Sequence, residues 1–573
     1  MSEQAISARK KGKNLKLPRA VGKGRQVDPK ALSEVQALLG DESRQKDLLI
    51  EHLHKIQDTY HAISAAHLVA LAREMKLSKA EVYEVATFYH HFDVIKEGDT
   101  PPPALTVRVC ESLTCEMKGA HGLIESLDEG LGDRVRVQKV PCIGRCDVAP
   151  VAVVGMNPVE QADVRSVMAE VNAGNIKPEA INPIAFDEYK KDQGYETYQA
   201  CMNGAHKVED VLTTMDDSGL RGLGGAGFPT GRKWRIVRDQ PEPKLMAVNI
   251  DEGEPGTFKD KYYLERDPHR FLEGMLIAAW ATDIHEIYIY LRDEYAAIRE
   301  SLEVEVAKLI ANPPVENMPV IHLRRGAGAY ICGEESAMIE SIEGKRGMPR
   351  LRPPFVAQVG LFGRPTLEHN MESVYWVRDI IEKGASFMTD HGRNGRVGLR
   401  SFSVSGRVNK PGVHFAPAGI SMQELIDEYC GGMEIGHTFY GYFPGGASGG
   451  ILPASLGHVP LDFDTLQEYG CFIGSAAIVV FSDQDRARDL AVNAMKFFED
   501  ESCGQCTPCR VGTAKAVGLM ANPEWDQDLL EELSTVMVDA SICGLGQAAP
   551  NPLRSVIKYF PEELTTGEQD NGC

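Results

Sequence analysis

The sequence predicts a multidomain chain, α/β through its middle and helical at both ends. Three observations lead there. The 573 residues correspond to about four domains. Short β-branched runs alternate with apolar residues at helical spacing through the centre. Eight of the thirteen cysteines fall into two sets of four, Cys110–Cys146 and Cys503–Cys543. Composition is ordinary globular usage, 43% hydrophobic and 25% charged. No apolar run approaches the roughly 18 residues of a bilayer span; the densest are Met275–Ala281 and Ala476–Phe481. The N-terminus lacks the apolar stretch of a secretory signal. Membrane, secreted and disordered classes are therefore excluded, and a cytoplasmic protein is expected.

Net charge is −21, unevenly spread. Residues 1–30 hold nine basic residues (Arg9, Lys10, Lys11, Lys13, Lys16, Arg19, Lys23, Arg25, Lys30) against Glu3 and Asp28. The rest is strongly acidic, which argues against nucleic-acid binding by the folded body. Gly12, Pro18, Gly22 and Gly24 break any helix, so 1–30 reads as a basic flexible arm. A solvated tail, a segment docking on an acidic partner and a transit peptide are the readings open to it.

Residues 31–97 form a helical N-terminal segment. Leu48, Leu49, Leu53 and Ile56, then Leu68, Leu71, Ala72 and Met75, keep amphipathic spacing. Ser78 with Glu81 ahead of Val82 and Val85 makes a capping box. The aromatic-rich run Val82–Phe92 is expected to pack on the next domain. After Pro101–Pro103, residues 98–180 read as a small α/β domain with strands over Leu105–Val109, Val135–Val140 and Val151–Val154. A Pro-containing linker follows near 176–185. Residues 186–400 are Gly-rich, with strands at Leu245–Val248, Ile287–Leu291 and Pro319–Leu323 and helices at Phe271–Ala281 and Tyr295–Ala311. That alternation predicts a largely parallel, layered sheet. Residues 401–482 suggest a β-grasp insert, with a strand at Phe402–Val404, the run Val408–Val413 and a helix over Met422–Tyr429. Residues 483–573 read as helical around the last cysteines.

Clustered cysteines without an export signal point to metal or redox work. Cys110-x4-Cys115 and Cys142-x3-Cys146 each follow a strand, whose ends at one sheet edge bring loops together. Loops this wide favour a [2Fe–2S] rhomb, with zinc and structural thiols as alternatives. Cys503-x2-Cys506-x2-Cys509 with Cys543, after 33 intervening residues, instead suits one [4Fe–4S] cubane, against zinc or inert thiols. Cys201, Cys332, Cys430 and Cys471 lack spaced partners and read as core or near-surface thiols; Cys573 is a tail thiol.

Arg221–Trp234 contains Gly222-x-Gly224-x-x-Gly227, but Val211–Leu220 before it reads as helix, not the strand of a dinucleotide fingerprint. Its glycines still let backbone N–H groups approach a phosphate or ring, and Lys233 can pair with phosphate. A structural turn is the alternative. Asn249–Gly256 follows a strand and carries Asp251, Glu252 and Glu254, acceptors for sugar hydroxyls and ring N–H groups. Gly326–Glu335 is a second such loop. Lys345, Arg346, Arg350 and Arg352 form a basic run that either faces phosphates or is solvent-exposed.

Together these motifs resemble the soluble NADH-oxidising module of respiratory complex I, its 24-kDa-type and 51-kDa-type subunits joined in one chain. Ala86-Thr87-Phe88-Tyr89 with the first cysteine set resembles the former; Gly222–Trp234, Asn249–Gly256, Gly326–Glu335 and the second set resemble the latter. Fused arrangements like this are similar to diaphorase subunits of NAD-dependent molybdenum or tungsten formate dehydrogenases and of NAD-reducing hydrogenases. Phe258–Phe271 and Phe443–Gly450 look closest to the formate dehydrogenase β subunit.

The resemblance implies a thioredoxin-like [2Fe–2S] domain holding its cluster on Cys110, Cys115, Cys142 and Cys146. It implies a Rossmann-like FMN and NAD domain, a β-grasp (ubiquitin-like) insert, and a helical [4Fe–4S] domain with Cys503, Cys506, Cys509 and Cys543. FMN would be held by Gly225, Gly227, Lys233, Asn249, Asp251, Glu252, Tyr330, Gly333, Glu334 and Asn370, and NAD(H) would stack near Phe228, Glu254, Glu335 and Phe355. The family's paired Asn reads His369-Asn370 here, which puts one phosphate contact in question, and Ile236 replaces an adenine-side aromatic.

NAD chemistry moves two electrons as hydride whereas each cluster takes one, and flavin serves both. The expected partner is a catalytic subunit with a molybdenum or tungsten pterin cofactor and further clusters, since no such site is legible here. A hydrogenase diaphorase or a complex I NADH module is the alternative. From another class, a zinc-stabilised scaffold would keep the same cysteines with structural glycine loops.

Overall fold

The computed structural model describes residues 25–565. Most of the basic arm (1–24) and the tail bearing Cys573 lie outside the described residues. Helices Pro29–Leu39, Leu49–Tyr60, Ala65–Met75 and Lys79–Ala86 form the N-terminal segment. The Ser78–Glu81 capping box opens the last of them. A short parallel pair, β1 (Ile63–Ser64) and β2 (Val94–Ile95), closes it. The aromatic run after the fourth helix does not pack chiefly on the next domain, as its position in the chain suggested. Tyr89 Oη donates to Lys345 O at 2.7 Å and to Ser341 Oγ at 2.9 Å, and His54 Nε2 bonds Gly326 O at 2.8 Å. All three acceptors belong to the large central domain.

That small domain holds β3 (Thr106–Cys110), β4 (Arg136–Val140), β5 (Ala152–Val154) and β6 (Asn157–Val159), in the order β4-β3-β5-β6. β3 and β4 run parallel with Cys110 opposite Val140, so their following loops start side by side. The central sheet is all parallel, ordered β10-β7-β8-β9 from β7 (Leu245–Ile250), β8 (Glu286–Leu291), β9 (Val320–Arg325) and β10 (Thr366–Asn370). One face packs on the buried helix Pro268–Thr282 and on Thr230–Arg238; the other meets Glu335–Ile342 and the N-terminal helices. Both faces are covered, as parallel sheets require.

The insert is a five-stranded mixed sheet of β11 (Leu399–Gly406), β12 (Gly412–Pro417), β13 (Phe439–Phe443), β14 (Leu452–Pro453) and β15 (Ala477–Ser482), ordered β12-β11-β15-β13-β14. β11 pairs antiparallel with β12 and parallel with β15, the β-grasp arrangement. The predicted helix over Met422–Tyr429 starts as α and turns to a π-helix over Leu425–Tyr429. Ala487–Asp500, Thr507–Met520, Gln527–Ala540 and Asn551–Tyr559 are the main C-terminal helices. Among the described residues no helix is long and apolar enough to cross a membrane.

Arg488 ties those helices together. Its buried guanidinium donates to Leu564 O at 2.7 Å, Pro523 O at 3.1 Å, Glu563 O at 3.3 Å and Asn522 O. Arg488→Met leaves these carbonyls without a donor, and a loss of about 3 kcal/mol is expected, measured as a lower midpoint of thermal unfolding. Arg488→Lys recovers little, because one ammonium cannot fork between carbonyls on two separate segments.

Candidate active site between two cysteine sets

Four connections leave the carboxyl edge of the parallel sheet: Asn249–Gly256 from the last two residues of β7 onward, Arg292–Glu294 after β8, Gly326–Glu335 after β9, and Asn370 at the end of β10. Strand order reverses between β7 and β10, the crevice where open α/β sheets bind ligands. A cavity of about 680 Å³ opens there. Gly225, Lys233, Asn249, Asp251, Glu252, Tyr330, Gly333, Glu334 and Asn370 line it, as do Phe228, Glu254 and Glu335. Gly227 does not: its φ is +63° and a Cβ there would come within 2.6 Å of the Phe463 ring, so it shapes the turn. Phe355 is half exposed and off the wall, and Ile236 is exposed on the helix after the glycine loop.

The walls are held from within. Asn249 Nδ2 donates to Gly333 O at 2.9 Å while its Oδ1 accepts from Asp251 N at 2.9 Å, clamping two loops together. Glu254 accepts from Ser448 N at 2.7 Å and from Tyr330 Oη; burial pushes its carboxyl up, and those donors pull it back. Glu252 is buried, accepting from Asp260 N, Lys261 N and Tyr295 Oη at 2.8, 3.1 and 2.8 Å; burial lifts it to about 7. Glu334 caps the helix Glu335–Ile342. Of the basic run only Arg352 reaches the cavity, paired with Glu334 and Glu335. Lys345 and Arg350 pair with Glu340 and Glu343, and Arg346 with Glu84, so the run neither faces phosphates as a group nor stands free in solvent.

Sequence reasoning missed Lys259 and Asp260. Lys259 is fully buried on the cavity wall; its Nζ meets Asp260 Oδ1 at 2.7 Å, Glu372 Oε2 at 3.1 Å and Asn370 Oδ1 at 3.3 Å. Its sequence neighbourhood, Lys259-Asp260-Lys261 with Glu265, Arg266 and Asp267 close behind, sets no one charge apart from the others.

Cys503, Cys506, Cys509 and Cys543 line one small pocket. Cys506 is the N-cap of the helix Thr507–Met520 and Cys509 lies in its first turn, so the positive helix end faces the sulfurs. Ile331 and Leu545 line both this pocket and the large cavity, so one layer of side chains separates them. The first set sits on the other side of the acidic loop. All four of its thiols are buried, Cys142 and Cys146 sulfurs lie 3.4 Å apart, and Cys110 contacts both Cys115 and Cys142. Hydrogen bonds from Cys110, then Cys146, hold the Cys142 thiol well below its usual value. Those with Cys115, then Cys142, push the Cys110 thiol well above its own, and that with Cys142 does the same to Cys146. The other four predicted thiols, Cys201, Cys332, Cys430 and Cys471, are buried.

Known proteins agree with this geometry. The second F-type subunit of NADH-quinone oxidoreductase in Rhizobium meliloti is 38% identical over 400 residues, covering 67% of this chain and 94% of that one. The chain belongs to the family of NADH-quinone oxidoreductase F-type subunits. The F-type subunit of Aquifex aeolicus is 38% identical over 392 residues, 66% of this chain and 90% of its own length. Residues 215–379 match the Nuo51 FMN-binding domain, 35–173 the thioredoxin-like [2Fe–2S] ferredoxin, and 489–567 the NADH-ubiquinone oxidoreductase-F iron–sulfur binding region. This member of the family is thus a fusion with a [2Fe–2S] domain ahead of the flavin domain. The crystal structure of an NAD+-reducing [NiFe]-hydrogenase in the H2-reduced state superposes with a TM-score of 0.80 at 30% identity, over 92% of this chain and 94% of that one. These matches overturn the zinc scaffold: the chain carries FMN-binding, [2Fe–2S] and [4Fe–4S] regions.

Cys506→Ser is expected to lower iron per chain by about two thirds, the [4Fe–4S] share, leaving the [2Fe–2S] electron paramagnetic resonance signal intact. Iron analysis and the reduced spectrum check this.

Proposed function

We propose that this protein exchanges electrons between NAD(H) and iron–sulfur clusters in a cytoplasmic multisubunit complex, coupling NAD+ reduction to formate oxidation on a partner with a molybdenum or tungsten pterin. The observation that carries the diaphorase reading is the single side-chain layer, Ile331 and Leu545, between the sheet-edge cavity and the four-cysteine pocket. Bound FMN supplies a ring able to exchange hydride with nicotinamide and single electrons with clusters.

The cavity residues fit such a group. Asp251 Oδ2 is buried without a partner, an acceptor suited to a ribityl hydroxyl or ring N–H. A Cβ at Gly224 would come within 2.9 Å of Asn370, so that backbone lies close to the floor of the cavity. Gly225, Lys233, Asn249, Asp251, Tyr330, Gly333, Glu334 and Asn370 would hold FMN; Glu252 would set the loop from behind. Phe228, Glu254 and Glu335 would flank NAD(H). No side chain need act as acid or base: these residues bind, orient and exclude water. The thiolates at Cys110, Cys115, Cys142 and Cys146, and at Cys503, Cys506, Cys509 and Cys543, would ligate the two clusters.

The formate assignment is supported by the resemblance of Phe258–Phe271 and Phe443–Gly450 to formate dehydrogenase β subunits. A second reading, the diaphorase of an NAD-reducing hydrogenase, is favoured by the likeness to that enzyme's structure over nearly the whole chain. In the native complex, purified without oxygen, formate is expected to drive NAD+ reduction and hydrogen gas is not. Hydrogen-driven reduction would instead assign the hydrogenase role. Activity with NADH and a dye alone would leave the flavin module and remove both partners.

A further inference from the structure

A second cavity, of about 290 Å³, opens where the first cysteine domain, the sheet edge and the C-terminal helices meet. His90, Lys139 and Asp500 on its walls are exposed, which places its mouth at the surface. Buried Arg292 and Gly253 stand at its inner end. Asp251, Gly253 and Tyr330 line both this cavity and the sheet-edge cavity, so they form the partition between the two. A Cβ at Gly253 would lie 3.0 Å from the Tyr330 ring, so the partition has no room for a side chain there.

Only Asp251 brings a carboxyl to both cavities. Its Oδ2 is buried and has no hydrogen-bond partner among the described residues. Burial lifts this carboxyl well above its ordinary value; Arg292 opposes that, and Glu294 and Glu501 add to it. Cys332 and Tyr290 also face it, both held neutral by burial. The outer walls carry both signs, Arg108 and Lys139 against Glu111 and Asp500, and so favour neither an anion nor a cation. Water suits them, and a void of this size has room for several molecules.

Making NADH from NAD+ consumes two electrons and one proton. Iron–sulfur clusters pass electrons singly and bring no proton with them, so each NADH formed takes one H+ from water. The hydride step itself needs no acid or base, but that proton needs a route. A nicotinamide seated for transfer excludes water from its own side of the site. We infer that the second cavity is the proton route to the flavin site: its water carries H+ from the surface near His90 and Asp500 to Asp251, which passes it across the partition. When NADH is oxidised the same groups return H+ to solvent. The inference rests on the FMN reading above.

The test uses the full chain loaded with FMN and clusters, without any electron acceptor. It is given saturating NADH deuterated at the transferred position together with saturating carbon-13-labelled NAD+, so that the site stays covered. Mass spectrometry then reads two rates: deuterium passed to the labelled dinucleotide, which needs no water, and deuterium lost to water, which needs the proton route. Their ratio does not depend on how much of a variant folds. Ala296 and Val153 line the second cavity and not the first. Ala296→Leu and Val153→Phe, which fill the passage, are expected to lower the loss-to-transfer ratio severalfold. Asp251→Asn, which cannot carry a proton, is expected to lower it by about a hundredfold, the low end of what a positioned acid–base group contributes. An unchanged ratio in both filled variants, or in Asp251→Asn, would overturn the route, as would a parent that transfers deuterium and loses none. A loaded parent that transfers none would instead sink the flavin reading.

Discussion

The guanidinium of Arg292 is the constraint on which the arrangement depends. It is buried at the end of β8 and donates to the carbonyl of Glu252 in the acidic loop and, at 2.8 Å, to the carbonyl of Cys142 in the first cysteine loop. Glu294 balances its charge at 2.9 Å. A buried charge without such partners would cost several kcal/mol, so the guanidinium holds the two loops where both carbonyls meet it. The next residue works likewise: buried Asp293 receives His91 from the N-terminal segment and Arg325 from β9. Three consecutive charged residues thereby fix two loops and the N-terminal segment relative to one sheet edge.

Around that edge the electrostatics are graded. Asp251, Glu252, Glu254 and Glu335 all line the cavity, and burial pushes every one of them above its ordinary value. A further negative group is unwelcome among them. Lys233 and Lys259 line the same cavity, each already paired: Lys233 with Glu368 at 3.6 Å, and Lys259 with Asp260 at 2.7 Å and Glu372 at 3.1 Å.

Legibility followed sequence distance. Cysteine spacing, strand–helix alternation and the glycine and acidic loops are local patterns, and each marked an element or wall that the structure places at or beside the cavity. β6 and β10 went unread because Asn157–Val159 is too short for a pattern and Thr366–Asn370 carries Glu, His and Asn instead of β-branched residues. Lys259 looked like one charge among several, and only the fold brings Glu372 and Asn370 to it. Gly227 and Phe355 lie off the cavity lining for the converse reason: motif membership says which segment approaches the cavity, while the φ angle and neighbouring rings decide which residue faces it. The aromatic run Val82–Phe92 could not reveal its partner, since Ser341 and Lys345 lie far along the chain, at separations of 252 and 256.

Those separations have a consequence for how the molecule is made. Asn493 bonds the Glu111 carbonyl beside the first cysteine set across 382 positions, and His54 bonds Gly326 across 272. The cavity wall itself draws on residues from Gly222 to Asn551. Contacts so distant in sequence are formed late and slowly, and chains of this size fold domain by domain as they leave the ribosome. The first cysteine domain emerges long before the strands and helices that enclose it, with its thiols open to solvent. The flavin cavity acquires its last wall only when the final helices have been synthesised. The residues of the two sites are therefore completed in chain order, those of the N-terminal cysteine set first and the last wall of the cavity at the end.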